Sequence, residues 1–551
     1  MLLQIFVYAS HPLHDENMKP TTSIGWLVRM ARMCSIFTKP ALTALYRNPP
    51  IFATRHTRKH LVNHLSTPPP KGHDDHRVMV KRLELDVTQM TALTDATNSV
   101  GDLAALVKSL TTLKEIDIFD PVDRPPFRDR LHRLRRWLYP QELFEALRQT
   151  QLRLRSWRWN RTFCDQGILW IKEIHGDAVF QSLRELTLTK FHPEVSPGEA
   201  SEGDQGPPTT EELLGSALQV LPNLRTLSFE TCGVVSERLL PLLPSNLRSL
   251  SITNCGELLS ETLQAFLATH GSQLEELTLN HNPALDLSFL VDLRPSCPKL
   301  EVLRMDTTYY SSLVLSRANE PLYDSLLGEN EVPTWPSSLR VLDMEYLRNW
   351  NATAATNFFH SLIDAAESLP FLQEITIMAI VDTDWRQRAE FRRKWSAKFR
   401  QVFARKWEPP HAHLASLRAF REHRERTMDG AKNGSWTEAP PGSDRDAPLP
   451  VSRQETAAEA SWGARRLRSR SKAAASYDEA SEDEGGSEAA ASEDEAVPFV
   501  QGRCHSVLFR VDNFRPREEM YAEADFLDTE PSGDEEWNGH EGNDDEGGYA
   551  W

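Results

Sequence analysis

A short alternation of apolar and polar residues recurs through the middle of the chain. The segment "NLRTLSFETCG" at 223–233 returns as "NLRSLSITNCG" at 246–256, as "QLEELTLNHN" at 273–282 and as "KLEVLRMDTT" at 299–308. Each has the form L-x-x-L-x-L-x-x-N/C/T, and the leading residues Leu224, Leu247, Leu274 and Leu300 are spaced 23, 27 and 26 apart. Weaker copies begin at Val80, Leu113, Leu154, Leu183, Leu339 and Leu372. The period of two in each x-L-x-L-x core predicts a short strand with alternate residues buried. Between strands, 236–245, 260–271 and 354–370 carry helical spacing. The ninth position, held by Cys232, Cys255, Asn282 and Thr308, falls where the chain leaves the strand. A small polar group there is expected to hydrogen-bond the backbone of adjacent turns.

One such unit cannot bury its own apolar face, so ten in series predict a stack that folds together. The fold class expected is α/β: a leucine-rich-repeat solenoid over 75–382, with a parallel sheet on the concave side and helices on the convex side. Two long spacings, 39 and 41, require insertions, one of them a disordered loop at 192–210. Residues flanking the buried strand positions face the concave side. The earlier ones (Thr187, Thr189, Thr226, Ser228, Ser249, Ser251, Thr253, Thr278) are rich in hydroxyls. The later ones, with Glu230, are mostly acidic: Glu276, Arg304, Asp306, Asp343, Glu345 and Glu374. These seven are the candidate target contacts, and a sheet lined with carboxylates favours a basic peptide. Plain solvation of exposed strand positions is the alternative.

The chain opens "MLLQIFVYAS", ten residues without charge. It has no basic n-region, an apolar run of only about eight residues and no clean cleavage site, so it is a poor secretory signal. An amphipathic helix beginning near Met1 is expected instead. With the repeat body established, this stretch resembles the first helix of an F-box, with Leu2, Ile5 and Phe6 at the L-x-x-I-F positions that pack on the following helices. The stretch 26–52 resembles the rest of the box, with Leu27, Met30, Met33, Cys34 and Phe37 at its apolar and V-C-x-x-W/F positions. The "ALTALYRNPP" after it resembles the exit segment of fungal F-box proteins with leucine-rich repeats. The L-P-x-E that normally opens the box is not among these residues, and 8–25 is longer and more polar than a compact box requires. The resemblance implies an F-box-like region over 1–60 that grips a Skp-type adaptor and, through it, a cullin complex. The chain would then be the substrate receptor of an SCF-type ubiquitin ligase, holding a target protein on the arc and catalysing nothing itself. The alternatives are a plain helical cap on the stack, and a repeat scaffold with no ligase role.

Charge changes the picture only at the C-terminal end. Of the formal −17, residues 478–551 carry 23 acids against 4 bases, a net of −19, so the remainder is near neutral at +2. Ahead of that, 385–407 holds nine Lys/Arg against one acid, with Phe391, Trp395, Phe399 and Phe403 recurring every fourth residue. The pattern predicts a basic amphipathic helix, within 383–426, that caps the last repeat; its charge could meet the acidic tail. Nucleic acid is the less favoured partner. Residues 427–500 read as a disordered linker with basic and acidic runs. Residues 501–551 read as an acidic tail with one apolar island, "HSVLFRVDNF", able to return as an edge strand.

Six cysteines lie far apart with no C-x-x-C pair, which suggests neither a disulfide framework nor zinc and fits reduced thiols in the cytoplasm or nucleus. No apolar run reaches the roughly 18–20 residues of a bilayer span. Phosphate-loop, dinucleotide, H-E-x-x-H and G-x-S-x-G motifs do not occur. His60, His64 and the "HDDH" at 73–76 sit in a polar, Pro-rich connection that gives no metal site. The expectation is a monomer without metal, cofactor or membrane contact.

Overall fold

Among the described residues, eleven strands hydrogen-bond in chain order into a single all-parallel sheet. They are β1 (Arg82–Asp86), β2 (Glu115–Phe119), β3 (Ser156–Asn160), β4 (Glu185–Thr189), β5 (Thr226–Glu230), β6 (Ser249–Thr253), β7 (Glu276–Asn280), β8 (Val302–Asp306), β9 (Val341–Leu347), β10 (Glu374–Ala379) and β11 (Ser506–Val511). The computed structural model describes residues 1–14, 20–51, 58–72, 74–90, 103–125, 127, 137–193, 208–310, 321–382, 385–406 and 499–511. The described residues up to Arg405 and those of 499–511 belong to one compact unit. The expected disordered loop at 192–210 and linker at 427–500 fall largely outside the described residues.

All ten sequence copies are strands, and matching positions stack. Register places Leu186, Leu227, Leu250, Leu277, Leu303 and Leu342 in one inward column, and Leu188, Phe229, Ile252, Leu279, Met305 and Met344 in the next. All twelve are buried. Each inward Leu contributes about 1.5–3 kcal/mol by leaving water, and only because the neighbouring repeats enclose it. The chain is therefore a leucine-rich-repeat-like solenoid.

Among the described residues, four helices precede the sheet: α1 (Leu2–Ser10), α2 (Thr22–Met33), α3 (Ser35–Arg47) and α4 (Arg58–Ser66). Those between strands are α5 (Val87–Met90), α6 (Leu103–Ser109), α7 (Gln141–Gln149), α8 (Ile168–His175), α9 (Thr210–Gln219), α10 (Ser260–His270), α11 (Leu293–Ser296) and α12 (Ala352–Asp364). The helix expected at 236–245 is instead a single 3-10 turn, Leu240–Leu242. Pro241 and Pro244 deny it two backbone donors, and this is the shortest repeat, with 23 residues between leading leucines. The short turn packs so closely on α9 that a Cβ at Gly215 would stand 2.7 Å from Leu242.

Where the chain leaves the strands, Lys190, Thr231, Asn254 and His281 take left-handed backbone angles, φ 54 to 61°. Each N–H thereby reaches the last carbonyl of the next strand, at 2.6–3.0 Å. The ninth-position residues complete the ladder. Asn282 accepts from the Cys255 N–H and donates to the Ile252 carbonyl, both at 2.9 Å. The Cys232 thiol donates to the Leu188 carbonyl at 3.3 Å. Thr308 departs from the pattern: its neighbour Thr307 is the buried one and donates to the Tyr346 carbonyl at 2.5 Å.

Burial pushes the Cys232 thiol up to about 12 and the Cys255 thiol well above its usual range. Titration of the folded protein with an aromatic disulfide reagent at pH 8 should therefore modify exposed Cys34 and spare these two. Modification of Cys232 or Cys255 at the rate of Cys34 would contradict their structural role.

The far end is closed by α13 (Trp385–Phe403) and β11. Trp395, Phe399 and Phe403 are buried, and Phe399 stacks on Phe509 of β11 with centroids 4.6 Å apart. The apolar island thus belongs to the solenoid as its last strand, paired with β10, and the acidic tail begins only beyond it. No described helix is long and apolar enough to cross a membrane.

Candidate functional site

Two surfaces concentrate the candidate residues: the N-terminal helices and the concave sheet. The helices α1–α3 enclose a small core of their own, Phe6, Leu13, Leu27, Ala41 and Ala44, separate from the solenoid core. Phe6 is its hub, with Trp26 and Phe37 each 5.6 Å away by ring centroid. Met30 and Phe37 are half-buried against it. The other four expected box residues, Leu2, Ile5, Met33 and Cys34, lie outside that core and are exposed. The reason lies in α1, where a 100° step per residue lets only Phe6, Val7 and Ser10 face inward. Leu2, Leu3, Ile5 and Tyr8 are left outside, as are Val28 and Ile36.

This small module is fixed to the first repeat by a buried carboxylate. Glu84 on β1, 3% exposed, accepts from Arg82 Nε at 2.7 Å, Asn48 Nδ2 at 2.8 Å and His14 Nε2 at 3.0 Å. Burial alone would raise its pKa. The hydrogen bond from His14, the Arg82 charge and the Asn48 amide outweigh that and hold it at about 2. His14 and Asn48 flank the helices while Glu84 and Arg82 belong to the sheet, so one charge cluster joins the two parts.

The concave face is built from the first, third and fifth residues of each strand, and its charge is uneven. At the first repeats, Arg82 reaches Glu115 at 3.1 Å and Asp117 at 3.2 Å, while Arg158 pairs with Asp117 at 2.7 Å and with Glu230. Glu230, expected to be open to a target, is thus engaged within the fold. Arg158 went unnoticed in the sequence, although the copy at Leu154 places it at the middle concave position. The strands β2 and β3 pair through only their first two residues. Beyond that point Tyr139 stands in for the missing partner, its hydroxyl accepting from the Asn160 N–H and donating to the Arg158 carbonyl. A concavity of about 200 Å³ opens there, lined by Arg82, Asp117, Arg158, Thr187 and Ser228.

The middle repeats present hydroxyls. The last repeats carry Glu276, Asp306, Asp343, Glu345 and Glu374, with Arg304 4.0 Å from Asp343. Glu276, Arg304 and Glu374 are exposed, the other three half-buried. Partial burial, against the pull of Arg304 and helped by Asp306 and Glu374, raises Asp343 above the ordinary carboxylate range. Carboxylates in that state gain from an arriving cation.

No family model matches the sequence, and no curated protein matches it. Among solved structures the chain is similar to one titled "Crystal structure of Rad7 and Elc1 complex in yeast", at 13% identity over 69% of this chain and 90% of that one, with a TM-score of 0.28.

Proposed function

We propose that the chain is the substrate-recognition subunit of an SCF-type ubiquitin ligase, in which α1–α3 bind a Skp-type adaptor of a cullin complex and the concave sheet holds a basic target. The observation that carries this reading is the two-sided N-terminal module. A cap on a repeat stack turns its apolar residues inward. This module has a core of its own and still leaves Leu2, Leu3, Ile5, Tyr8, Val28, Met33 and Ile36 in water, a pattern that calls for a partner. Its tie through Glu84 would transmit a fixed orientation from adaptor to arc. The chain supplies binding surfaces, and the chemistry belongs to other subunits.

The test is a pull-down with a purified Skp-type adaptor. Ile5 is 53% and Met33 63% exposed, so Ile5→Asp with Met33→Asp should remove adaptor binding by at least 100-fold while the melting temperature stays within about 2 °C. Phe6→Ala is the contrasting variant, since it empties the module's core at a cost of about 3–5 kcal/mol. Intact protein that fails to bind adaptor sinks the ligase reading and leaves a repeat scaffold.

A further inference from the structure

One position of the repeat carries the same charge through six successive units. It lies one residue ahead of the strand and is held by Lys81, Lys114, Arg155, Arg184, Arg225 and Arg248 before β1 to β6. Each of the last five donates its N–H to the carbonyl of the one before it, at 2.6–2.9 Å. The six therefore stand side by side along the edge where the chain enters the sheet. Lys81 in turn donates to the carbonyl of Arg47, the last residue of α3, at 2.9 Å. With paired strands about 4.8 Å apart, the row of six is about 24 Å long. It ends before β7 and β8, where the same position holds Glu275 and Glu301.

Only part of this charge is spent within the fold. Glu185 pairs with Arg155 at 2.9 Å and Glu275 with Arg248 at 2.7 Å. Arg47, Lys81, Lys114, Arg184 and Arg225 have no ion pair among the described residues, and all but half-buried Lys81 are exposed. Burial, joined by the charges of Lys114 and Arg47, lowers the pKa of Lys81, so the crowding of cations has a cost in the free protein. The positions on both sides of the row are polar. Glu115, Ser156, Glu185, Thr226 and Ser249 follow it on the sheet, and Thr112, Arg153, Ser182, Asn223 and Asn246 precede it beyond a buried leucine. A protein partner needs apolar area to desolvate at the centre of its interface, and a nucleic-acid single strand needs aromatic rings on which its bases stack. These positions offer neither. The carbonyls of the row already accept from the next unit, which closes it to an added peptide strand as well. A duplex needs only cations in line, because its affinity comes from counterions released as phosphates are neutralised. Guanidinium forks, three of the six, match phosphate oxygens two at a time, or four of the seven with Arg47.

We infer that the entry edge of β1–β6 binds the phosphate backbone of double-stranded nucleic acid without reading its sequence. The row covers about seven base pairs at roughly 3.4 Å each. The inference stands apart from the ligase reading, since it uses neither the apolar residues of α1–α3 nor the concave carboxylates. Failure to bind an adaptor leaves it intact, and failure to bind a duplex leaves the adaptor surface intact.

Fluorescence anisotropy of a labelled 20-base-pair DNA of mixed sequence, titrated with the full chain, tests this. With about five phosphates neutralised by the unpaired cations, affinity should fall roughly 500-fold between 50 and 200 mM salt. Lys114→Ala with Arg184→Ala and Arg225→Ala should weaken binding at 100 mM salt about 100-fold and cut the salt slope by more than half. The melting temperature of that variant should stay within about 2 °C. Arg393→Ala with Lys394→Ala and Arg400→Ala removes the same charge from the exposed side of α13 and should change affinity less than about two-fold. Absence of binding at 50 mM salt, loss of binding in the α13 variant in place of the row variant, tighter binding of a 20-nucleotide single strand, or equal binding of polyglutamate would each overturn the inference.

Discussion

Phe399→Ala should lower the stability of the C-terminal end by about 3–5 kcal/mol, the range for emptying a buried aromatic site. Phe399 is fully buried, and its ring meets Phe359 of α12, Trp395 and Phe403 of its own helix, and Phe509 of β11. With Phe359 and Phe509 it forms the ring cluster that joins all three elements closing the stack. In a repeat array each unit leans only on its neighbours, so loss of the closing unit exposes the next sheet edge before it affects the middle. Hydrogen exchange followed by mass spectrometry would read this out. Amides of β10 and β11 should exchange faster in the variant while those of β4–β7 keep wild-type protection. Arg393→Ala, on the solvent side of the same helix, should stay within about 0.5 kcal/mol. Uniform acceleration across all strands would mean that the sheet unfolds as one unit and that α13 and β11 are not its separable cap.

The solenoid was legible because its signal is repeated. A single L-x-x-L-x-L says little, but ten copies place ten strands, and the buried columns follow from the period of two. What the pattern could not reveal depends on contacts between residues distant in sequence. Arg158 and Glu230 are both readable as concave positions, yet only the stacking of β3 beside β4 and β5 shows that they neutralise each other. The same holds for Leu2 and Ile5. Their spacing from Phe6 is that of the resembled box, but which side of α1 faces inward is decided by Trp26 and Phe37 on the helices that follow. The turn at Leu240–Leu242 was misread for a local reason, since leucine spacing outweighed the two prolines. The aromatic stripe of α13 was readable from its i, i+4 recurrence alone, because a helix with that stripe has to bury it somewhere.

The second large effect concerns the joint between the helical module and the arc, and it depends on pH. Glu84 titrates at about 2 in the folded protein against 4.5 in an unfolded chain. A lowered pKa means that the folded state prefers the carboxylate, so its contribution is complete above about pH 4.5 and is lost as pH falls from there toward 2. The difference corresponds to roughly 3 kcal/mol at 1.36 kcal/mol per unit. Glu84→Gln keeps the size of the side chain but removes the charge facing Arg82 and His14. At pH 6 it should cost about 2–4 kcal/mol in urea unfolding, in the range for breaking a buried pair while one partner remains. Arg82 keeps Glu115 and Asp117 as partners, which argues for the lower part of that range. The variant should also be flatter in acid: the gap between wild type and Glu84→Gln is expected to shrink as pH drops from 5 to 3. A gap that is the same at pH 3 and pH 6 would show that Glu84 acts through packing and not through its charge. Because His14 and Asn48 belong to the helical side and Glu84 to the sheet, the same substitution should loosen the hold of α1–α3 on the first repeat. Limited proteolysis between residues 48 and 82 would then proceed faster in Glu84→Gln while the repeats beyond β4 stay intact.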